Sequence, residues 1–491
     1  MANSPKKWKT TLTALDELPL TVDRDAPVPL AAQVADRLRE AAIAGRLRGG
    51  DRLPSSRALA TRLGVSRTVV TAAYDQLHAE GWLTGRHGSG TFLTASPDPA
   101  PSPPAAPDES ECDTLRYDLA PGTPCVEAID RAAWRRAWRS ASDRIPLARK
   151  DRRGEPDYRA TVAEQLLRHR GLTAGSDTVV LATAGTGAAV GELAAALLRP
   201  GDTVAMEDPG YQRAVGAFRA AGVRVVPVPV DGDGLRVDRI PRGVEAVYCT
   251  PAHQFPLGAR MPAARRIELI EFARRAGIFV IEDDYDGELR YDTAPLPMLA
   301  TLAPDTVVHL GTTSKILSPT LGVGWLVASP ATAKAVVTHR ESTGTGPSPA
   351  GQQVLVELAR HGDLMRHLRR LRREMPPRRA LVVDELRGGG LEVVGDDAGS
   401  HLLVPLPSAA AEERAIEAAR RRGVLLDGLS RHYLGPQRSF GVPLGYSSLS
   451  RADLRAAVRI ARDCLADHGP QSAPAHHRAP GARTSSAPDT A

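Results

Sequence analysis

The chain has 491 residues, 42% apolar and 24% charged, with a net charge of +6; this is a globular composition long enough for two or three domains. No apolar run reaches the roughly 18 residues of a membrane-spanning helix. Four scattered cysteines without a CxxC pair argue against a disulfide framework or a zinc site and suit a reducing cytoplasm.

Residues 1–28 open with "MANSPKKWKTTLTALDELPL", which has basic residues but no continuous apolar stretch behind them. They read as an N-terminal extension, not a signal peptide. Residues 29–93 break into three helices and a hairpin. Leu30, Val34 and Leu38 share a face at i, i+4, i+8, predicting a helix over 29–44. After the turn "GRLRGGDRLPSS", Ser55 or Ser56 can cap a second helix with Leu59 and Leu63 inward. "LGV" is a tight turn, and Ser66 caps a third helix in which Val70, Ala73 and Leu77 face the core. Arg67, Thr68 and Thr71 are left outward on its first turns, where a helix-turn-helix meets base edges. "GWLTGRHGSGTFL" alternates as a hairpin with Arg86, His87 and Gly88 at its tip. Residues 1–93 hold 13 Lys/Arg against 9 Asp/Glu, a basic excess compatible with nucleic acid.

Residues 29–93 resemble the winged helix-turn-helix of GntR-type regulators, through "GDRLPSSRALA", "LGVSRTVV" and the hairpin. The resemblance implies double-stranded DNA as partner. Arg57, Ser66, Arg67, Thr68 and Thr71 would meet it from the helices, and Arg86, His87 and Gly88 from the wing.

Residues 94–113 are Pro-rich and acidic ("ASPDPAPSPPAAPDESE") and read as a semi-rigid linker. Residues 469–491 have the same character and read as a disordered tail. Between them, residues 114–468 alternate β-branched runs with helical patterns. Strands are expected at 177–183, 202–207, 224–230, 246–250, 278–283 and 306–311, with helices such as 186–198 and 262–276 between. Such alternation predicts an α/β fold with a mostly parallel sheet covered on both faces.

Chemistry-bearing motifs fall where those strands end. "TAGTGAAV" (183–190) follows a strand and opens a helix, exposing backbone N–H groups that favour a phosphate. "EDPGYQRA" (207–214) places Tyr211 where a ring could stack on a flat heterocycle, and "TPAHQFPLG" (250–258) ends a further strand. "VIEDDYDGELRY" (280–291) puts Asp283 at a strand end with Tyr285 two residues on, and "TTSKILSPTLGVGW" carries Lys315. A buried carboxylate against a pyridine nitrogen keeps that nitrogen protonated.

Together these resemble fold-type I pyridoxal-5′-phosphate enzymes, the aspartate aminotransferase group, from about residue 115 to 468. With the GntR-like reader, the whole resembles the MocR subfamily of bacterial regulators. The resemblance implies a small C-terminal α+β subdomain, pyridoxal 5′-phosphate as cofactor and a homodimer. It makes Lys315 the Schiff-base lysine, pairs Asp283 with the pyridine nitrogen, gives Tyr285 the ring oxygen and stacks Tyr211 on the ring. It sets Gly185, Thr186, Thr312 and Ser314 near the phosphate and His253 and Gln254 beside the ring. No metal is expected.

Four positions depart from that pattern. Gly322 stands where an arginine gripping the phosphate is usual, and Gly187 where a polar residue is usual. Arg149 replaces a tyrosine expected just before "DRRG". Pro443 occupies the place of an arginine that clamps a substrate carboxylate, with Arg438 nearby. Three functions remain open. The chain could be a regulator sensing pyridoxal phosphate or its adduct with an amine or amino acid. It could be an aminotransferase with an accessory reader, or a regulator whose sensor no longer takes the cofactor.

Overall fold

A computed structural model describes residues 20–86, 90–94, 115–145, 148–172, 178–291 and 296–467. The linker beyond Thr94, the tail, and the wing residues His87 and Gly88 lie outside the described residues. Contacts divide the chain into two units, Met1–Glu109 and Ser110–Ala491. No helix among the described residues is long and apolar enough to cross a membrane.

In the first unit, α1 (Leu30–Ile43), α2 (Ser56–Leu63) and α3 (Arg67–Ala79) precede an antiparallel pair, β1 (Leu83–Arg86) and β2 (Gly90–Leu93), with Leu83 opposite Leu93. Ser55, not Ser56, caps α2, accepting from the Ala58 N–H. Gly64, at φ +64°, ends α2 in the left-handed region that glycine adopts without strain. Leu63, the last residue before that turn, is therefore only half-buried. Ser66 caps α3 by accepting from the Val69 N–H. Val34, Leu38, Leu59, Val70, Ala73 and Leu77 form one apolar core, as the periodicity predicts.

The second unit opens with β3 (Tyr117–Asp118), α4 (Arg131–Ser142) and α5 (Pro156–His169). The wound region follows: β4 (Val179–Thr183), α6 (Thr186–Leu197), β5 (Thr203–Asp208), α7 (Gln212–Ala220), β6 (Arg224–Asp231), β7 (Gly234–Leu235) and β8 (Ala246–Cys249). It continues through α8 (Ala263–Ala276), β9 (Phe279–Asp284), β10 (Val307–Thr312) and β11 (Gly324–Ala328). These strands make one sheet in the order β4-β11-β10-β9-β8-β5-β6-β7. β10, β9, β8, β5 and β6 run parallel, while β11 runs antiparallel to both β10 and β4. Separate apolar cores cover the two faces.

β11 is absent from the strands the sequence predicts. Its five residues, "GWLVA", are all buried, so no alternation marks it. It matters for the site, because a β-carbon on Gly324 would lie 2.6 Å from the Gly311 carbonyl and 2.8 Å from the Gly185 Cα. A glycine there lets the end of β10 and the start of α6 approach each other.

The chain then forms α9 (Pro330–Thr343), α10 (Pro349–Arg360) and the long α11 (Asp363–Gly388). A C-terminal subdomain pairs β12 (His401–Leu406) antiparallel with β14 (Phe440–Gly445). α12 (Ala409–Arg421) and α13 (Arg451–Ala466) pack beside it, and β13 (Val424–Leu425) pairs with β3.

Candidate functional site

The carboxyl ends of β5, β8, β9 and β10 form one rim, the place where open α/β sheets bind ligands. Lys315 follows β10 by three residues, and its Nζ donates to the Gly122 carbonyl at 2.5 Å. Burial pushes the Lys315 amine below the usual lysine range, while the Asp286 and Asp283 carboxylates oppose this. The result favours the neutral, nucleophilic amine. Gly122 has φ +96°, and a β-carbon there would stand 2.7 Å from Nζ.

Asp283, on β9, is 3% exposed and raised to about 7 by burial. Its Oδ2 accepts from the Tyr248 hydroxyl at 2.5 Å, while its buried Oδ1 accepts no hydrogen bond within 3.5 Å, the Thr186 side chain acting on the carboxylate only weakly. A buried carboxylate oxygen left open is suited to an N–H donor from a bound heterocycle. Glu207, at the end of β5, is likewise raised to about 7 by burial, although Thr250 and Gln254 hydrogen-bond it.

Gly185 caps α6 at φ +110°, and Thr186 is the helix's first residue. A β-carbon on Gly185 would lie 3.5 Å from the Thr312 hydroxyl and 4.0 Å from that of Ser314. Thr312 and Ser314 hydroxyls share a 2.9 Å hydrogen bond. A helix N-terminus and two hydroxyls thus converge, a composition that suits a phosphate. At both Gly187 and Gly322 a β-carbon would meet nothing within 4 Å. Arg149 is exposed, and Pro443 sits in β14 opposite Leu403. Arg438 reaches the rim instead, with Nη1 3.9 Å from Asp208 Oδ2.

Tyr211 is the N-cap of α7, half-buried and edge-on to Phe255 at 5.9 Å. The Tyr285 hydroxyl donates to the His253 carbonyl at 2.9 Å and lies 3.2 Å from His253 Nδ1. Gln254 has its amide engaged with Pro209, Phe255 and Glu207, so it braces the loops rather than facing an open space.

Four residues at the site were not singled out from the sequence: Gly122, Tyr248, Asp286 and His401. Asp286 Oδ2 lies 2.8 Å from His253 Nδ1. The His401 ring is 4.8 Å from that of His253 and has neither nitrogen partnered. Atoms of His253, Asp286 and His401 able to bind a metal lie within 4.8 Å of one another. A hydroxyl in the apolar run "AVYC", and a histidine opening the apolar run "HLLVPL", are signals that could have flagged Tyr248 and His401.

In the reader, Arg57, Ser66, Arg67, Thr68 and Thr71 are exposed on α2 and at the start of α3. Arg67 Nε donates to Ser56 Oγ at 3.3 Å, and the Ser66 hydroxyl is engaged as a cap. Arg86 ends β1.

Comparison with known proteins gives two family matches. Residues 30–93 match "Bacterial regulatory proteins, gntR family", and residues 118–459 match "Aminotransferase class I and II". The chain is 32% identical to the HTH-type pyridoxine biosynthesis transcriptional regulator PdxR of Corynebacterium glutamicum, over 92% of this chain and 99% of that one. It is 31% identical to the probable rhizopine catabolism regulatory protein MocR of Rhizobium meliloti, over 91% and 96%. Among solved structures, kynurenine aminotransferase of Pyrococcus horikoshii shares the fold at TM-score 0.67 and 24% identity, covering 73% of this chain and 92% of that one. The α-aminoadipate aminotransferase LysN of Thermus thermophilus matches at TM-score 0.64 and 25% identity, covering 74% and 94%.

Proposed function

The chain belongs to the aminotransferase class I and II family, joined to a gntR-family reader as in the MocR-type transcription regulators, and from that premise we propose that it is a DNA-binding regulator whose Lys315 site senses pyridoxal 5′-phosphate or its adduct with an amine or amino acid. The carrying observation is the buried Asp283 Oδ1 left open, on the same rim as a lysine whose amine burial pushes below the usual lysine range.

Pyridoxal phosphate, when bound, supplies an aldehyde for the lysine and for competing amines, and a ring that draws electrons. The chain's own residues do the rest. Lys315 offers the nucleophile, held by the Gly122 carbonyl. Asp283 would hold a proton on the ring nitrogen through Oδ1, while Tyr248 fixes its Oδ2. Gly185, Thr186, Thr312 and Ser314 would hold the phosphate, and Tyr211 would flank the ring. In this reading Arg57, Arg67, Thr68 and Thr71 meet DNA, and two copies act as a homodimer. A regulator needs no turnover, only a ligand that binds two states unequally.

The test uses genomic fragments pulled down by the full chain. The same fragment is titrated with and without pyridoxal phosphate, using wild type and Lys315→Ala. Affinity that shifts in wild type alone supports the reading. Affinity indifferent to pyridoxal phosphate in wild type contradicts it.

A further inference from the structure

In α4, Ala133, Ala137 and Ala141 are buried, while Arg131, Arg135 and Arg139 are exposed. The two sets are offset by two positions, about 200° round a helix of 3.6 residues per turn. The arginines therefore form a stripe opposite the packed face, about 12 Å long at 1.5 Å per residue. Trp134 and Trp138 run beside it, edge-on to each other at 6.0 Å, and line an open groove with Arg135, Arg136 and Arg139.

The charge of this stripe is not balanced locally. Other helices hold exposed arginines against a carboxylate one turn away, as Arg168 meets Glu164, Arg275 meets Glu271 and Arg421 meets Glu417. α4 contains no acidic residue. The carboxylates that touch it are committed. Asp130 caps the helix, Asp363 is shared by Arg136 and Arg366, and Glu357 is held by Ser140 and Arg360. Like charges at i, i+4 destabilise a helix, and an anionic partner reverses that. α11 extends the positive surface: Arg366, Arg369 and Arg373 are exposed at i, i+3, i+7, and the Arg136–Asp363 pair ties the start of α11 to α4.

We infer that the arginine stripe of α4 is a second DNA contact, on the second unit, for the phosphate backbone of the duplex flanking the reader's site. The inference rests on the DNA-binding part of the reading above and is independent of the Lys315 site. Guanidinium groups bind phosphate oxygens through paired N–H donors. Such contacts read no base, so the stripe adds affinity and salt dependence without sequence preference.

Residues 95–114 separate Thr94 of the first unit from Leu115 of the second and span at most about 70 Å when extended. That is the length of about 20 base pairs at 3.4 Å each, which sets the flank to use. The experiment compares the shortest genomic fragment that the full chain binds specifically with the same fragment carrying about 20 unrelated base pairs on each side. Fluorescence anisotropy between about 50 and 200 mM salt gives the affinities. Wild type should hold the longer DNA more tightly. It should also lose about 40-fold more affinity on it over that salt range, as three phosphate contacts do at a log–log slope of about −0.9 each. Arg131→Gln, Arg135→Gln and Arg139→Gln together should abolish this difference and leave the short fragment bound as in wild type. The corresponding triple lysine variant keeps the charge and should keep the difference.

Equal salt slopes on both fragments in wild type would overturn the inference alone, whereas no binding to any fragment would contradict the proposed function as well. A glutamine variant that matches wild type on the longer DNA, or weakens both fragments equally, would also overturn it. So would a lysine variant that behaves like the glutamine one, because phosphate attraction needs only the charge. If the glutamine variant instead changes the sedimentation of the DNA-free protein, the groove with its exposed Trp138 belongs to a second copy and the inference fails.

Discussion

Gly122 and Lys315 are 193 residues apart in sequence, yet the lysine Nζ donates to the Gly122 carbonyl at 2.5 Å. The φ of Gly122, +96°, favours glycine, and a β-carbon there would stand 2.7 Å from Nζ, so the amine would have to move. Gly122→Ala is therefore expected to displace the amine and slow its reaction with an aldehyde. Reaction of the full chain with pyridoxal phosphate, followed by stopped-flow absorbance, reads this directly. An unchanged rate would separate the Gly122 contact from lysine reactivity.

Asp283→Ala should weaken pyridoxal phosphate binding by roughly tenfold to hundredfold, the worth of a charged hydrogen bond at about 1.5–3 kcal/mol. Asp283→Asn should fall in between, because its amide oxygen can still accept. Equilibrium dialysis gives the affinities; equal binding by all three proteins would remove Asp283 from the ring nitrogen.

Asp283 and Glu207 both sit at about 7 in the folded chain because burial disfavours their charge. Unfolded, they return to the ordinary carboxylate range near 4. Between about pH 4 and pH 7 the folded chain thus binds more protons than the unfolded one, so stability falls as pH rises through that window. Glu207→Gln should flatten the fall in denaturation midpoint over that window. A slope identical to wild type would show that Glu207 titrates normally.

Gly322 lies at φ +61°, and a β-carbon there meets nothing within 4 Å. Gly322→Arg, restoring the cation usual in such domains, should tighten pyridoxal phosphate binding by about tenfold. It should also cost about 1–2 kcal/mol of stability, because a residue with a side chain is strained in the left-handed region. Tighter binding without any fall in melting temperature would contradict the backbone argument. Unchanged affinity would place the phosphate elsewhere.

In the reader, Arg67 is exposed at the first turn of α3, lightly held by Ser56. Arg67→Ala should reduce affinity for a specific site by about 1–3 kcal/mol, and for random DNA by much less. Fluorescence anisotropy on both DNAs distinguishes base reading from phosphate contact; equal losses would mean the latter.

The reader was legible almost to the residue because its signals are local. Ser66 before Arg67, Gly64 after Leu63 and the spacing of Val70, Ala73 and Leu77 fix helix ends and faces without distant contacts. The lysine rim was legible for a similar reason, since each motif sits where its own strand ends. β11 was not, because "GWLVA" is buried on both faces and carries no period. Gly122 and His401 were not either. Each joins Lys315's surroundings from a distant part of the chain, and neither has a local pattern that announces it. The resemblance sets Gln254 beside the ring; in the fold its amide hydrogen-bonds Pro209, Phe255 and Glu207, partners that only tertiary packing brings to it.

In the proposed function Lys315 captures pyridoxal phosphate although Gly322 replaces the usual arginine. Adding pyridoxal phosphate to the purified full chain and recording its visible absorption tests this most directly. Wild type should show a band from lysine-bound cofactor that is absent in Lys315→Ala. A wild-type spectrum indistinguishable from that of the variant would contradict it.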